Sequence, residues 1–288
     1  DAFDTEPAPV ARPVPAQAAQ DAEPASSGAS SSDLLGGIFG TGGAGSIPGG
    51  VLSPGWGGGV YQPVNYNDFI VGTAGADYID AGLRDDLVYS GDGDDTVWGG
   101  SGHDTLVAGN GHDFVDGGDG ADWIQGGDGN DKLFGGVGND RLEGGAGDDQ
   151  IMGMEGADVM IGGAGADKFI VGQAYYTAAE QMNRPLDTIV DFELPSEFGS
   201  GDKIALSQAL LNTDFFQRFG WYATAHDAFA QGYVILGQHG YQGQPGFGTK
   251  VWIDTNGAAA GGDLFAVADI AGLGLAQLNT PDHGLFII

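Results

Sequence analysis

The fold of this chain is decided by residues 72–170, which read in consecutive groups of nine GTAGADYID, AGLRDDLVY, SGDGDDTVW, GGSGHDTLV, AGNGHDFVD, GGDGADWIQ, GGDGNDKLF, GGVGNDRLE, GGAGDDQIM, GMEGADVMI and GGAGADKFI. The eleven groups follow one another without an insertion, so each position of the nonapeptide forms a column. The sixth position is aspartate throughout: Asp77, Asp86, Asp95, Asp104, Asp113, Asp122, Asp131, Asp140, Asp149, Asp158 and Asp167. The eighth position is apolar throughout: Ile79, Val88, Val97, Leu106, Val115, Ile124, Leu133, Leu142, Ile151, Met160 and Phe169. Two such columns predict a solenoid built from one repeated unit.

The apolar column predicts short strands around a narrow core. In each unit the eighth side chain points inward, and its two neighbours point outward. We expect two units to form one coil, so that stacked coils bury the eighth position. The residues before the array, ending Asn67-Asp68-Phe69-Ile70-Val71, fit the same register as a degenerate leading unit.

The glycines and aspartates predict sites for a hard cation. Glycine at the first, second and fourth positions permits positive φ angles and close backbone approach, and this leaves carbonyl oxygens free to face an ion. Aspartate adds a carboxylate, and Ca²⁺ prefers six or more oxygen ligands at about 2.3–2.6 Å. The predicted calcium ligands are the eleven aspartates and the glycines of the regular units: Gly99, Gly100, Gly102, Gly117, Gly118, Gly120, Gly126, Gly127, Gly129, Gly135, Gly136, Gly138, Gly144, Gly145, Gly147, Gly162, Gly163 and Gly165.

The repeat resembles the G-G-x-G-x-D-x-U-x pattern of the RTX (repeats-in-toxin, hemolysin-type calcium-binding) family. This resemblance implies an all-β fold, a parallel β-roll in which each nonapeptide gives a six-residue turn and a short strand. Adjacent units lie on opposite edges, so we expect each ion between one unit and the second unit after it, on the order of nine ions in all.

The charge of the array agrees with that number, because 21 acidic and four basic residues leave −17 and nine divalent ions bring +18. The alternative hypothesis is a glycine-rich solenoid that binds no metal, in which the aspartates only terminate turns. Turns accept Asn and Ser as well as Asp, so this hypothesis does not explain why all eleven positions are Asp. Ala81 and Arg84 in the second unit and Met154 in the tenth stand where glycine is expected. Because Arg84 places a positive charge near a predicted site, we expect the calcium site at this edge of the roll to be weak or empty.

The composition narrows the classes of partner. The net charge is −31, with nine basic and 40 acidic residues. Nucleic acid and anionic lipid both bind clustered Lys and Arg, which this chain lacks. The chain has no cysteine, so thiolate metal sites and disulfides are excluded. No apolar run is long enough to span a bilayer, so we expect no membrane insertion. Metal cations are the natural partners.

The sequence divides into three regions. Residues 1–59 form a Gly/Pro/Ala-rich N-terminal segment, residues 60–171 the calcium-binding β-roll, and residues 172–288 a C-terminal cap and type I secretion region. Within the tail, residues 232–237 and 250–253 are predicted strands, and residues 263–278 have helical or mixed character. The sequence from Asp254 to Gly257 reads as a turn, with a lone calcium loop as the alternative.

The tail resembles the end of RTX proteins in two places. Asp187-Thr-Ile-Val-Asp191-Phe192 followed by Gly201-Asp202-Lys-Ile-Ala-Leu-Ser207 resembles the passage that closes many RTX arrays. Residues 282–288, DHGLFII, resemble the uncleaved signal of type I secretion substrates. The alternative is a terminal strand that completes the core of the tail; the two are compatible, and the array favours export. The resemblance implies a secreted protein, extracellular or at the cell surface, that folds where calcium is millimolar.

We find no catalytic site and expect no enzymatic activity. The chain lacks H-E-x-x-H and G-x-S-x-G, and its five histidines lack metal spacing. His103 and His112, at the fifth position of adjacent units, read as exposed turn residues on opposite edges. The remaining feature is a set of outward-facing side chains, which indicates a packing face unless the tail or N-terminal segment covers it: Tyr78, Leu87, Tyr89, Trp98, Phe114, Trp123 and Phe134.

The leading functional hypothesis is an extracellular structural protein that self-associates into a layer, matrix or filament, hence a homo-oligomer. Two alternatives stay open: the secretion and folding module of a larger enzyme or toxin, and a calcium-dependent adhesin that binds polysaccharide.

Overall fold

A computed structural model describes residues 60–61, 66–171, 186–194, 201–206, 234–239, 245–254, 264–273 and 286–287. The predicted N-terminal segment, residues 1–59, lies outside them. All regular secondary structure in the described residues is strand, as an all-β fold requires. The strands are β1 (Val60–Tyr61), β2 (Phe69–Val71), β3 (Tyr78–Leu83), β4 (Leu87–Asp92), β5 (Thr96–Ser101), β6 (Thr105–Asn110), β7 (Phe114–Asp119), β8 (Trp123–Asp128), β9 (Lys132–Val137), β10 (Arg141–Ala146), β11 (Gln150–Glu155), β12 (Val159–Ala164), β13 (Lys168–Val171), β14 (Asp187–Ile189), β15 (Lys203–Leu206), β16 (Val234–His239), β17 (Gly248–Asp254), β18 (Leu264–Ala271) and β19 (Phe286–Ile287).

The array forms a parallel β-roll, because each strand pairs with the strands two units before and after it. Leu106 of β6 lies beside Val88 of β4 and Ile124 of β8, an offset of 18 residues in each direction. The odd-numbered strands up to β13 therefore build one sheet and the even-numbered strands the other. Two nonapeptides make one coil, as the sequence predicted.

The strands are longer than the resemblance implied. Each regular unit contributes six strand residues, from its seventh position to the third position of the next unit, so the loop keeps only three. Backbone pairing resumes beyond the eighth position: Gly145 pairs with Gly163 and Ala146 with Ala164. The expected six-residue turn was wrong, because the glycine backbones of successive coils lie close enough to extend the ladder.

The eighth position fills the core along the whole array. Its eleven side chains are between 0% and 1% exposed and belong to one cluster, which also contains Ile70 of the leading unit. The two sheets enclose this cluster, so every coil buries apolar area only by stacking on its neighbours. The loops carrying the aspartates line the two edges of the roll.

The tail continues both sheets. In one sheet, β15 pairs with β13 and with β19. In the other sheet, β14 pairs with β12 and with β18. Strand β17 follows β18 and pairs antiparallel with both β18 and β16. The predicted strands at 232–237 and 250–253 correspond to β16 and β17. Asp254 ends β17, and the turn predicted after it lies outside the described residues.

The helical or mixed character expected for residues 263–278 was wrong, since residues 264–271 form strand β18. This strand lies between β14 and β17, and Val267, Ala268 and Ile270 are buried. Pairing on both sides outweighs the helical preference of its alanines. At the C-terminus, Phe286 and Ile287 form β19, as the terminal-strand interpretation of DHGLFII expected.

The outward-facing aromatic side chains lie on both faces of the roll. Tyr78, Trp98, Phe114 and Phe134 form a stack on the odd-numbered sheet, with ring centroids 4.5, 6.0 and 5.2 Å apart. Trp98 is only 6% exposed. On the even-numbered sheet, Tyr89 packs edge-on against Phe69, and Trp123 lies two coils further along.

Candidate functional site

The sixth-position aspartates form one buried column along each edge of the roll. Each lies in the loop immediately before a strand, so the 18-residue offset places it directly above the aspartate of the next coil. Their side chains are between 1% and 4% exposed. Carboxylates at this depth require partners, because an unpaired buried charge is strongly destabilising.

One oxygen of each carboxylate is used inside the protein. Asp140 Oδ1 accepts a hydrogen bond from the backbone N–H of Asp122 at 2.9 Å, and Asp122 Oδ1 accepts from Asp104 at 2.8 Å. The same bond recurs from Asp68 to Asp167 at 2.6–2.9 Å. Ten of the eleven array aspartates, all except Asp77, therefore fasten their own coil to the preceding one.

The second oxygen of these carboxylates points into the edge of the roll. In nine array aspartates Oδ2 is buried and accepts no hydrogen bond: Asp86, Asp95, Asp104, Asp113, Asp122, Asp131, Asp140, Asp149 and Asp167. An orphaned buried oxygen in every coil is rare in folded proteins. A repeating cation would satisfy all of them.

A first-position glycine leaves space beside this oxygen. A Cβ added to Gly135 would lie 2.5 Å from Asp140 Oδ2 and 2.5 Å from the carbonyl oxygen of Gly153, two units further on. We call this space, bounded by the aspartate Oδ2 and the first-position carbonyl of the next coil, the cradle. Carboxylate and carbonyl oxygens are the donors that Ca²⁺ prefers.

Glycines at the second and fourth positions have another role. Gly118 and Gly120 have φ angles of +99° and +151°, and a Cβ on either would clash with a carbonyl oxygen of the preceding coil. These glycines allow the coils to stack closely. The sequence grouped them with the first-position glycines, whereas only the latter border Oδ2.

Burial is the main cause that raises the pKa of the aspartates, and repulsion between neighbouring carboxylates raises the pKa further. The hydrogen bond from the backbone of the preceding coil lowers the pKa but does not cancel the effect of burial. The pKa rises from 3.8 to about 7 in Asp86, Asp104, Asp113, Asp140 and Asp149, and to about 6 in Asp95, Asp122 and Asp167. A cation entering the column near neutral pH therefore competes with protons.

Among the residues that the structure describes, no group of three or more His, Cys, Asp or Glu side chains lies close enough together to hold a metal ion. A site in the roll must draw ligands from backbone carbonyls as well as from carboxylates. This is the arrangement at Gly135, and it suits Ca²⁺ better than softer metals, which prefer imidazole or thiolate.

A family model for the RTX calcium-binding nonapeptide repeat, four copies long, matches the chain in overlapping stretches: 64–97, 71–106, 81–115, 107–142, 116–151 and 134–169. The repeat array belongs to the RTX family. RTX repeats bind calcium, and proteins that carry them are typically secreted. No curated protein sequence matches the chain. Within the described residues, no helix has the length and apolar character needed to cross a bilayer.

The RTX columns extend beyond the array at both ends. Asp158 donates its N–H to Asp187 Oδ1 at 3.2 Å, and Asp167 donates to Asp202 Oδ1 at 3.0 Å. Asp68 begins one column and is 3% exposed. The sequence placed Asp68 in register as part of a degenerate leading unit. It did not identify Asp187 and Asp202 as column members, because the spacing after residue 167 is no longer nine.

The C-terminal end of the RTX roll is closed by carboxylates that have full sets of partners. Asp191 accepts hydrogen bonds from the N–H groups of Gly162 and Gly163, both at 2.9 Å. Asp202 Oδ2 accepts from the N–H of Glu193 at 2.6 Å. These residues take the place of a further coil.

The histidines of the array are exposed, as predicted. His103 Nδ1 accepts from the N–H of Ala121 at 2.7 Å, and His112 Nδ1 accepts from Asn130 at 2.8 Å, on opposite edges. His239 in the tail lies 2.7 Å from Asp269 Oδ1. His226 and His283 lie outside the described residues.

Arg84 occupies the fourth position of its unit and Met154 the second position of its unit, with φ angles of +81° and +71°. Both adopt the left-handed conformation normally reserved for glycine, so the repeat geometry persists at some cost in backbone strain. The weak calcium binding expected beside Arg84 stays a prediction.

Proposed function

We propose that this protein is a secreted, non-enzymatic calcium-binding structural protein whose RTX roll folds when Ca²⁺ binds. The observation that carries the proposal is the row of buried Oδ2 atoms without hydrogen-bond donors, one in nearly every coil. A folded roll without cations would hold these carboxylates either as unpaired charges or as carboxylic acids. Bound Ca²⁺ removes that penalty, so ion binding and folding are coupled.

We assign the calcium ligands to the eleven array aspartates and the glycines predicted from the sequence. The aspartates contribute Oδ2, and the first-position residues contribute carbonyl oxygens. Glycines at the second and fourth positions act through coil stacking and backbone exposure. Ca²⁺ supplies the positive charge that balances the carboxylates of the column and takes part in no reaction.

The charge of −31 supports an extracellular site of folding. Such a chain resists compaction where free calcium is scarce and folds where it is millimolar, the range of weak extracellular calcium modules. Export as an unfolded chain by a type I secretion system accords with this behaviour.

We further propose self-association, supported by the aromatic side chains on the even-numbered sheet. Phe69, Tyr89 and Trp123 are 47%, 42% and 45% exposed on the outer face of this sheet. Large apolar side chains left accessible on a rigid face are typical of contact surfaces. A second copy of this chain is the proposed partner.

A calcium titration of the purified protein tests the proposal, with far-UV circular dichroism and light scattering recorded together. We expect β signal and particle size to rise between about 0.1 and 10 mM Ca²⁺, and Mg²⁺ to be a poor substitute. A rise in β signal at constant monomeric size would contradict self-association and favour the role of a folding module in a larger protein. A protein that folds with no bound metal would overturn the calcium proposal itself.

A further inference from the structure

The first position of the repeat differs between the two halves of the roll. Five cradles are open and bounded on both sides, by the aspartate of the same unit and the carbonyl oxygen of the next coil: those of Gly99, Gly117, Gly126, Gly135 and Gly144. Four of these lie in the sixth to ninth units.

Three units near the N-terminus carry a side chain at the same position. Ala81, Ser90 and Ala108 are 0%, 0% and 1% exposed, so their Cβ atoms lie inside the edge of the roll. At Gly99 and Gly117, a Cβ in this place would approach the aspartate oxygen to 2.5 Å, well inside van der Waals contact. A methyl or hydroxymethyl group therefore takes up space that the other units leave to an ion.

Ser90 also uses one of the oxygens that bound the cradle. Its hydroxyl donates to the carbonyl oxygen of Ala108 at 2.9 Å, the first-position carbonyl of the next coil. An ion entering this site would have to displace that buried hydrogen bond.

The first unit is closed in another way. Thr73 stands at the second position, where all later units but the tenth have glycine, and its hydroxyl donates to Asp77 Oδ1 at 2.9 Å. Its backbone N–H donates to Asp77 Oδ2 at 2.6 Å. The carboxylate that would face a cation already has two donors.

Three of the four rings in the aromatic stack lie in units whose cradles are filled or closed. Tyr78, Trp98 and Phe114 belong to the first, third and fifth units, Phe134 belongs to the seventh, and the ring contacts stabilise these coils from outside. The N-terminal coils therefore have packing energy that the last three units, which contribute no aromatic ring to their outer faces, do not have.

We infer that calcium sites of two classes follow one another along this roll: tight sites in the cradles of Gly99, Gly117, Gly126, Gly135 and Gly144, and weak or empty sites in the first, second, third and fifth units. The inference rests on the proposed calcium function and adds which units depend on the ion. It lowers the number of tightly bound ions from the roughly nine expected from the repeat spacing to about five. The N-terminal coils hold their fold with little calcium, whereas the C-terminal coils require it.

Metal counting on the full chain and on single variants tests the inference. After dialysis against calcium buffered near 1 mM, which fills sites with dissociation constants of about 10⁻⁴ M, we expect about five ions per chain by mass spectrometry of the metal. Gly126→Ala introduces a Cβ where φ is not left-handed, and should remove one ion or weaken it about 10- to 100-fold. Ala108→Gly should add one tight ion.

The matched control is Ala121→Gly, which removes the same methyl group from an exposed fifth position outside the cradle. Its calcium count should equal that of the parent chain. Hydrogen exchange adds a readout that needs no variant: on chelation, amides of the sixth to ninth units should lose protection before those of the first three.

Nine or more ions of equal affinity, an unchanged count in both cradle variants, or simultaneous loss of protection along the roll would overturn the inference while leaving the proposed function intact. A chain that binds no calcium at all would instead refute the proposed function.

Discussion

Replacing Asp140 by asparagine should change the stability of the roll in opposite directions with and without calcium. The substitution keeps the shape of the side chain and the acceptor Oδ1, which receives the N–H of Asp122 at 2.9 Å. It replaces Oδ2, which borders the cradle of Gly135, with an amide group that cannot bind a cation.

The calcium-loaded protein should lose the contribution of one site. With a dissociation constant on the order of 10⁻³ to 10⁻⁴ M, typical of extracellular calcium modules, about 10 mM Ca²⁺ stabilises a folded site by about 1.4 to 2.7 kcal/mol. We expect the free energy of unfolding of Asp140→Asn to fall by this amount, because the retained hydrogen bond still fastens the two coils.

The calcium-free protein should respond in the other direction. Burial raises the pKa of Asp140 to about 7, so at pH 8 the folded chain without calcium holds an ionised carboxylate that its surroundings disfavour. Asparagine carries no charge and removes that penalty. The variant should therefore be the more stable protein in excess chelator at pH 8.

Denaturant unfolding followed by circular dichroism measures both effects, with Asp128→Asn as the control for lost charge. Asp128 is an exposed third-position residue, and its replacement should change stability by less than about 0.5 kcal/mol in either condition. If Asp140→Asn destabilises the roll equally with calcium and with chelator, the carboxylate acts only as a hydrogen-bond acceptor and the metal assignment fails.

Two further predictions follow from the columns and their C-terminal end. In chelator, the folded pKa values of about 6 to 7 exceed the ordinary 3.8, so the folded chain binds more protons than the unfolded one. The resulting stability is fully present below about pH 4 and lost as pH rises through 6 to 7; a pH titration by circular dichroism should show β structure appearing on acidification, and a flat titration would contradict the buried-carboxylate account. Asp191→Ala should cost about 1 to 3 kcal/mol in calcium-loaded protein, because it leaves the Gly162 and Gly163 N–H groups without their acceptor; denaturant unfolding beside the exposed-side-chain control Glu193→Ala measures this, and equal stabilities would refute the capping role.

The sequence by itself determined the roll, its direction of stacking and its core. A period of nine with apolar residues at the eighth position admits only one buried face, so Ile124 and Leu133 had to point inward from opposite sheets. The aspartate at every sixth position likewise indicated a cation. These features are local and repeated, and a pattern repeated eleven times leaves few alternative registers.

Tertiary structure decided how the repeat ends. Asp187 and Asp202 continue the two columns although the sequence between them and the array is irregular, because alignment across coils depends on hydrogen bonding and not on spacing along the chain. The prediction for strand β18 was wrong for a similar reason, since one of its two partner strands, β14, is distant in sequence.

Only the three-dimensional positions of atoms separated the roles of the glycines. In the sequence, Ala81, Ser90 and Ala108 are small residues substituted for another small residue, and Thr73 is one more deviation from the repeat. In the roll, a first-position Cβ lies within reach of a carboxylate oxygen, while a second-position Cβ lies against the backbone of the preceding coil. A single carbon atom thus has different consequences at neighbouring positions, because its contacts come from residues five and eighteen positions away that only folding brings near.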